Sequence, residues 1–182
     1  DPSFTFVVSS VGASTSVGGI NTTVASTTST IPFGNLTAGA AKYIAHRLNV
    51  TTNAYGGYAV TVLMQQQMTG TYTSNNIDPF GGQPTLSNAA TWANPLVWTE
   101  PTGSSPNVNT GWIGAYTSDT DISAFTAGEF GPVNSTQNLV MTSTGPDSGD
   151  TGIYINYAIE VNVYQPADVY TGTVVYNAVA TY

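Results

Sequence analysis

The chain has very little charge. Only 7% of its 182 residues are Asp, Glu, Lys or Arg, whereas soluble domains contain about a quarter. Two cations, Lys42 and Arg47, stand against ten carboxylates, and the formal net charge is −8. Clusters of Lys and Arg are what hold nucleic acids and anionic membrane surfaces. Neither is therefore expected as a partner.

Cysteine is absent, which excludes disulfide bonds and thiolate chemistry. No apolar run reaches the roughly 20 residues that a membrane-spanning helix requires, so membrane insertion is not expected. The one histidine, His46, stands in an alternating apolar segment, as a hydrogen-bonded core histidine does. Without a second histidine, a cysteine or a Gly-x-Ser-x-Gly motif, the sequence predicts neither a catalytic triad nor a zinc site.

Paired carboxylates are the catalytic arrangement that this composition still permits. Glu100, Glu129 and Glu160 are available for glycoside hydrolysis, but nothing in their spacing selects a pair. The sequence therefore predicts a protein that is not an enzyme and needs no cofactor. A secreted hydrolase is the alternative, and broad glycosidase and protease assays would test it.

Apolar and polar residues alternate with a period of two in several segments, and the chain lacks helical periodicity. Apolar side chains fall on the odd positions from 152 to 164, which predicts a long strand with one buried face. Residues 169–182 are rich in β-branched and aromatic side chains and predict its partner in a C-terminal hairpin. Residues 43–53 and 58–67 alternate similarly, and the Tyr-Gly-Gly between them predicts a tight hairpin turn.

The middle of the chain, residues 69–151, is punctuated by Gly, Pro, Asn and Ser. This composition predicts long surface loops with a few short strands, among them residues 138–142. All three tryptophans, Trp92, Trp98 and Trp112, fall here. They favour packing within the fold, with a sugar-stacking platform as the alternative. Together the patterns predict one all-β domain over residues 20–182, an antiparallel β-sandwich of Greek-key or jelly-roll type.

Four tripeptides fit the N-glycosylation acceptor pattern, although such tripeptides also arise by chance in a chain rich in Asn and Thr. They begin at Asn21, Asn35, Asn49 and Asn134. Asn49 is expected on the exposed face of its strand. These acceptors, and the scarcity of Lys and Arg for trypsin-like proteases, predict an extracellular or cell-surface protein whose signal peptide has been removed.

Two pairs of carboxylates lie close together in predicted loops. They are Asp119 with Asp121, and Asp147 with Asp150. A hard cation such as calcium gathers oxygen ligands of this kind, so both pairs are weak candidate cation sites. Asp, Ser and Gly are also ordinary turn residues, and neither pair matches a complete calcium loop. The turn interpretation is favoured and no metal is assigned.

The N-terminus predicts an apolar strand over residues 3–9, with Phe4, Phe6 and Val8 on one face. The octet at 12–19 has the composition of a flexible linker. A terminal strand on a tether pairs either within its own domain, as most first strands do, or with the sandwich of a neighbour. A head-to-tail contact of the second kind grows a filament. Residues 1–19 are predicted as a donor strand and its tether.

Several segments resemble secreted prokaryotic surface proteins. The resemblance is carried by Ile31-Pro-Phe-Gly-Asn-Leu-Thr-Ala-Gly, His46-Arg-Leu-Asn-Val-Thr-Thr-Asn-Ala, Gly57-Tyr-Ala-Val-Thr-Val and Tyr170-Thr-Gly-Thr-Val-Val-Tyr. More widely, the chain resembles extracellular fibre subunits of the camelysin and TasA kind and archaeal pilus or thread subunits. This resemblance implies a structural filament subunit whose partner is another copy of itself, with Phe4, Phe6 and Val8 completing the next sandwich. A carbohydrate-binding surface module and a surface-layer subunit are the alternatives.

Overall fold

A computed structural model of the chain describes residues 1–81, 89–106, 108–150 and 152–182. These residues form strands and loops, with no helix among them, and hence none that could span a membrane. The strands in chain order are β1 (Phe4–Ser10), β2 (Ser16–Val17), β3 (Ile20–Asn21), β4 (Lys42–Thr52), β5 (Tyr58–Gly70), β6 (Asp78–Pro79), β7 (Leu96–Val97), β8 (Gly111–Thr117), β9 (Glu129–Pro132), β10 (Asn138–Ser143), β11 (Ile153–Val161) and β12 (Tyr170–Ala180).

The strands form two packed sheets, which confirms the predicted all-β sandwich. The large sheet has the order β1-β4-β11-β8-β9-β7, and the short β6 pairs in parallel with β8 off this path. The small sheet has the order β10-β5-β12 and is antiparallel. A separate hairpin joins β2 and β3.

The core lies between the sheets and is built from the alternation in the sequence. The long strands turn every second side chain inward, and most of these side chains are apolar. Strands β4, β5 and β11 contribute nine members that are at most 2% exposed: Ile44, Leu48, Val50, Val60, Val62, Met64, Ile155, Tyr157 and Ile159. The predicted inward faces of these strands are therefore confirmed.

Neither predicted hairpin forms. β4 and β5 lie in opposite sheets, and so do β11 and β12. The turn before β5 carries the chain across the sandwich, with Gly57 at φ 75° and so close to Ser143 that a Cβ would lie 1.9 Å from its carbonyl oxygen. Alternation identifies the face that a strand buries. It does not identify the sheet, because both sheets bury the same kind of face.

The outer face of the large sheet is covered by a third layer. Asn156 and Glu160 stand at even positions of β11, on the face opposite the apolar one, yet they are 0% and 5% exposed. The β2–β3 hairpin and the loops that carry Phe80 and Trp98 pack over this face. The expectation that β11 has only one buried face is therefore wrong.

Candidate functional site

The N-terminal strand lies at the edge of its own chain's large sheet. β1 pairs antiparallel with β4 over its whole length, from Phe4 opposite Thr52 to Ser10 opposite His46. Most first strands pair in this way within their own domain. The prediction from the sequence is instead that this strand completes the sandwich of a neighbouring copy. On its other side β1 has no partner strand in the described ranges.

The side chains of β1 alternate as predicted. Phe4, Phe6 and Val8 pack against the core, whereas Thr5 and Val7 face outward. The Phe6 ring meets Tyr176 of the opposite sheet edge to face, with centroids 6.2 Å apart. Full burial of one such side chain contributes roughly 1.5 to 3 kcal/mol, so these half-buried anchors each contribute less.

The segment after β1 differs from the flexible tether that its composition predicts. Val11 is buried, and its N–H donates to Ser26 Oγ at 2.9 Å. Val17 is 3% exposed within the β2–β3 hairpin. Gly18 backs onto Tyr116 so closely that a Cβ would lie 2.6 Å from the ring. The small residues permit close packing here, which composition does not distinguish from flexibility.

A chain of hydrogen bonds joins the two sheets next to β1. The hydroxyls of Tyr157 and Tyr176 are 2.6 Å apart, Tyr176 Oη is 3.2 Å from His46 Nδ1, and His46 Nε2 is 2.8 Å from the carbonyl oxygen of Thr27. That carbonyl can only accept, so Nε2 carries the proton and Nδ1 of the neutral ring accepts from Tyr176. Tyr176 then accepts from Tyr157. Donation therefore runs from Tyr157 to Tyr176 and from Tyr176 to His46, which donates to Thr27.

Burial governs the ionisation of these three groups. It raises the pKa of Tyr157 and of Tyr176 above the ordinary tyrosine range and lowers the pKa of His46. His46 is 5% exposed, as expected for a core histidine. All three groups are therefore neutral at physiological pH. Sequence reasoning placed Tyr157 inward but missed the bond to Tyr176, because the two belong to different sheets.

The lowered pKa of His46 predicts a loss of stability in acid. The unfolded chain binds this proton more tightly than the folded one, so the free energy of unfolding should fall as pH drops through about 6.5 and level off below the folded-state pKa. Urea unfolding between about pH 7.5 and pH 5 measures this slope. The His46→Gln variant should have a smaller slope, and an unchanged slope would contradict the assignment.

A cavity of about 480 Å³ opens beside this hydrogen-bond chain, between residues 28–33 and β12. Val8, Met64 and Met68 line it together with His46, Tyr157 and Tyr176, and none of the described residues that line it is Asp, Glu, Lys or Arg. Lys42 Nζ donates to the carbonyl oxygen of Phe33 at 2.9 Å and so holds the covering segment. The cavity is suited to neutral, apolar groups.

The tryptophans lie within the fold and do not form an exposed platform. Trp112 is 0% exposed. Trp98 stacks on Phe80 with ring centroids 4.6 Å apart, and its Nε1 donates to Glu160 Oε2 at 2.7 Å. Trp92 Nε1 donates to the carbonyl oxygen of Leu139. The packing interpretation is favoured over sugar stacking.

The three glutamates considered for hydrolysis differ in their surroundings: Glu129 accepts a local hydrogen bond, Glu160 is bonded to Trp98, and Glu100 is exposed. Burial raises the pKa of Glu160, and the nearby charge of Glu100 adds to this, while the hydrogen bond from Trp98 opposes it. Glu129 accepts from the backbone N–H of Thr126 at 3.0 Å. Nothing in this arrangement selects a catalytic pair.

The four aspartates considered for cations make turn contacts. Asp119 accepts from the N–H groups of Asp121 and Thr142, at 2.9 and 2.8 Å. Asp147 accepts from the N–H of Gly149 and the hydroxyl of Tyr58, and Asp150 accepts from Ser148 Oγ. In the part of the chain that the structure describes, no three His, Asp or Glu side chains gather as metal ligands. The turn interpretation is favoured.

The four glycan acceptors differ in accessibility. Asn21 and Asn35 are exposed. Asn49 is half-buried and its Nδ2 donates to the carbonyl oxygen of Gly149 at 2.7 Å, so the expectation of an exposed Asn49 is wrong. Asn134 is also half-buried, and its Oδ1 accepts from the N–H of Thr136. Asn21 and Asn35 are therefore the better candidates for a glycan.

No protein-family model, no curated protein and no solved structure matches this chain.

Proposed function

We propose that the protein is a structural subunit of an extracellular filament and that its copies assemble by exchanging β1. In the assembled state, β1 of each copy lies beside β4 of the next copy, in the register that it has within one chain. The contact is head to tail and does not close, so it extends into a filament. The partner is another copy of the chain, and the role requires no reaction and no cofactor.

The observation that carries the proposal is the position of β1. Among the residues that the structure describes, it is an edge strand whose ladder joins it to β4 alone, and its apolar face covers a shared core. Every contact that it makes with β4 in one chain can therefore form identically between two chains. Exchange of an identical element costs little free energy, because the same contacts exist before and after it.

The turn after β1 provides the hinge. Ser14 has a φ of 63°, a left-handed conformation that is unfavourable for a residue with a Cβ. Opening this turn would release that strain at the cost of the hydrogen bond from the Ser14 N–H to the carbonyl oxygen of Thr22, and short strained turns favour exchange between copies. The hinge lies between β1 and the β2–β3 hairpin, so the hairpin would stay with its own sandwich.

The surface composition also supports self-association. With 7% charged residues, the surface offers few charges that must lose their hydration in a contact. An extracellular location and glycans on Asn21 and Asn35 are part of the same proposal.

Negative-stain microscopy of the purified protein at increasing concentration tests the proposed function. We expect filaments of uniform width whose number rises with concentration, and matching growth of light scattering. Light scattering that reports a monomer throughout, with no filaments in the images, would contradict the proposed function.

A further inference from the structure

The edge strand of the small sheet has a partner strand on one side only, among the residues that the structure describes. β12 spans Tyr170–Ala180 and contains neither a charged residue nor proline. Its ladder joins it to β5 alone. Beyond that ladder its backbone makes no hydrogen bond within the described residues. The outward-facing N–H and C=O groups of such an edge strand can pair with another strand.

The opposite edge of the same sheet is protected. Side chains from neighbouring loops and strands bond to the backbone of β10: Trp92 Nε1 and Thr117 Oγ1 donate to the carbonyl oxygens of Leu139 and Val140. Asp119 accepts from the N–H of Thr142. Folded proteins usually block their edge strands by such means. The contrast within one small sheet marks β12 as the edge left available for pairing.

The charge distribution indicates a second copy as the partner. None of the residues of β5, β10 and β12 is charged, although the chain carries a net charge of −8. Two copies repel one another through that charge. They approach at least cost where both surfaces are neutral, and the small sheet is such a surface.

The ladder between β12 and β5 identifies the centre of the contact. Its register shifts near Thr171 and Thr173, and from Val174 to Ala180 it is regular. Asn177 is the middle residue of this regular part. Antiparallel pairing about a twofold axis at Asn177 would place Val175 opposite Val179 of the other copy.

The same register matches side-chain sizes on the inner face, where Tyr176 would lie opposite Ala178 of the other copy. We propose that β12 pairs antiparallel with β12 of a second copy about a twofold axis at Asn177, which joins two three-stranded sheets into one. Such a contact is isologous and closes as a dimer. It uses a different surface from β1 and does not depend on strand exchange.

Cysteine cross-linking tests this contact, because the natural chain has no cysteine. In Asn177→Cys the two sulfurs face each other across the axis, since directly opposed Cβ atoms lie ~5 Å apart and a disulfide needs ~4 Å. Thr61→Cys is the matched control. Thr61 lies beside Asn177 in the ladder, one strand further from the axis.

We expect mild oxidation to convert Asn177→Cys into a covalent dimer and to leave Thr61→Cys monomeric. Asn177→Lys should abolish the dimer in light scattering, because two like charges would meet at the axis, whereas Thr61→Lys should retain it. Equal cross-linking of the two cysteine variants, or a wild-type chain that is monomeric throughout, would overturn the proposal. Filaments without this cross-link would contradict the β12 contact alone and leave strand exchange intact.

Discussion

Locking β1 to β4 of the same chain should abolish filament assembly. Thr5 and Thr51 are exposed and lie directly opposite each other in the β1–β4 ladder, so Thr5→Cys with Thr51→Cys can form a cross-strand disulfide. In the oxidised monomer β1 cannot leave its own sheet, and exchange becomes impossible. Electron microscopy should then find no filaments, and a reducing agent should restore them.

The lock has two matched controls. Each single cysteine variant, kept reduced, should assemble as the natural chain does, since neither side chain enters the core. The oxidised double variant should also unfold at higher urea concentration than its reduced form, because a disulfide restricts the unfolded chain. Filaments formed by a fully locked chain would mean that assembly does not require β1 to move.

Removing the hydroxyl of Tyr176 should destabilise the protein more than removing the hydroxyl of Tyr157. In Tyr176→Phe the buried Tyr157 hydroxyl loses its acceptor and His46 Nδ1 loses its donor. Each buried group left without a partner costs ~1–3 kcal/mol. Urea unfolding followed by tryptophan fluorescence should therefore give a loss of roughly 2 to 6 kcal/mol for this variant.

The Tyr157→Phe variant is the matched comparison. Tyr176 keeps its own donation to His46 and loses only the bond that it accepts, so the cost should be about 1 kcal/mol. The order of the two variants follows from the central position of Tyr176, whose hydroxyl bonds to both Tyr157 and His46, whereas the Tyr157 hydroxyl bonds only to Tyr176 in the described structure. Equal losses, or a larger loss for Tyr157→Phe, would contradict this chain of hydrogen bonds.

Alternation in the sequence predicted β1, β4, β5 and β11 and their inward faces, because each buried face is a local property. In β11 it placed Ile155, Tyr157 and Ile159 in the core, where they lie. In β1 it placed Phe6 and Val8 on the inward face. These predictions rest on the period of two alone and need no knowledge of the partner strand.

The pairing of the strands and the layer that covers the large sheet were not predictable in the same way, because both depend on contacts between distant segments. The sheet to which β12 belongs is decided by its ladder with β5, which begins more than a hundred residues earlier in the chain. The burial of Asn156 depends on a layer formed by loops. The hydrogen bonds that link Tyr157 to His46 through Tyr176 form only when both sheets are packed together.

The most direct test of strand exchange uses two chains with one cysteine each. Thr5→Cys chains and Thr51→Cys chains are mixed under assembly conditions and oxidised, and the products are separated without reductant. If β1 lies beside β4 of a neighbouring copy, a disulfide joins one chain of each kind. If every β1 stays in its own sheet, the two cysteines never meet and filaments, if present, dissolve into uncross-linked chains.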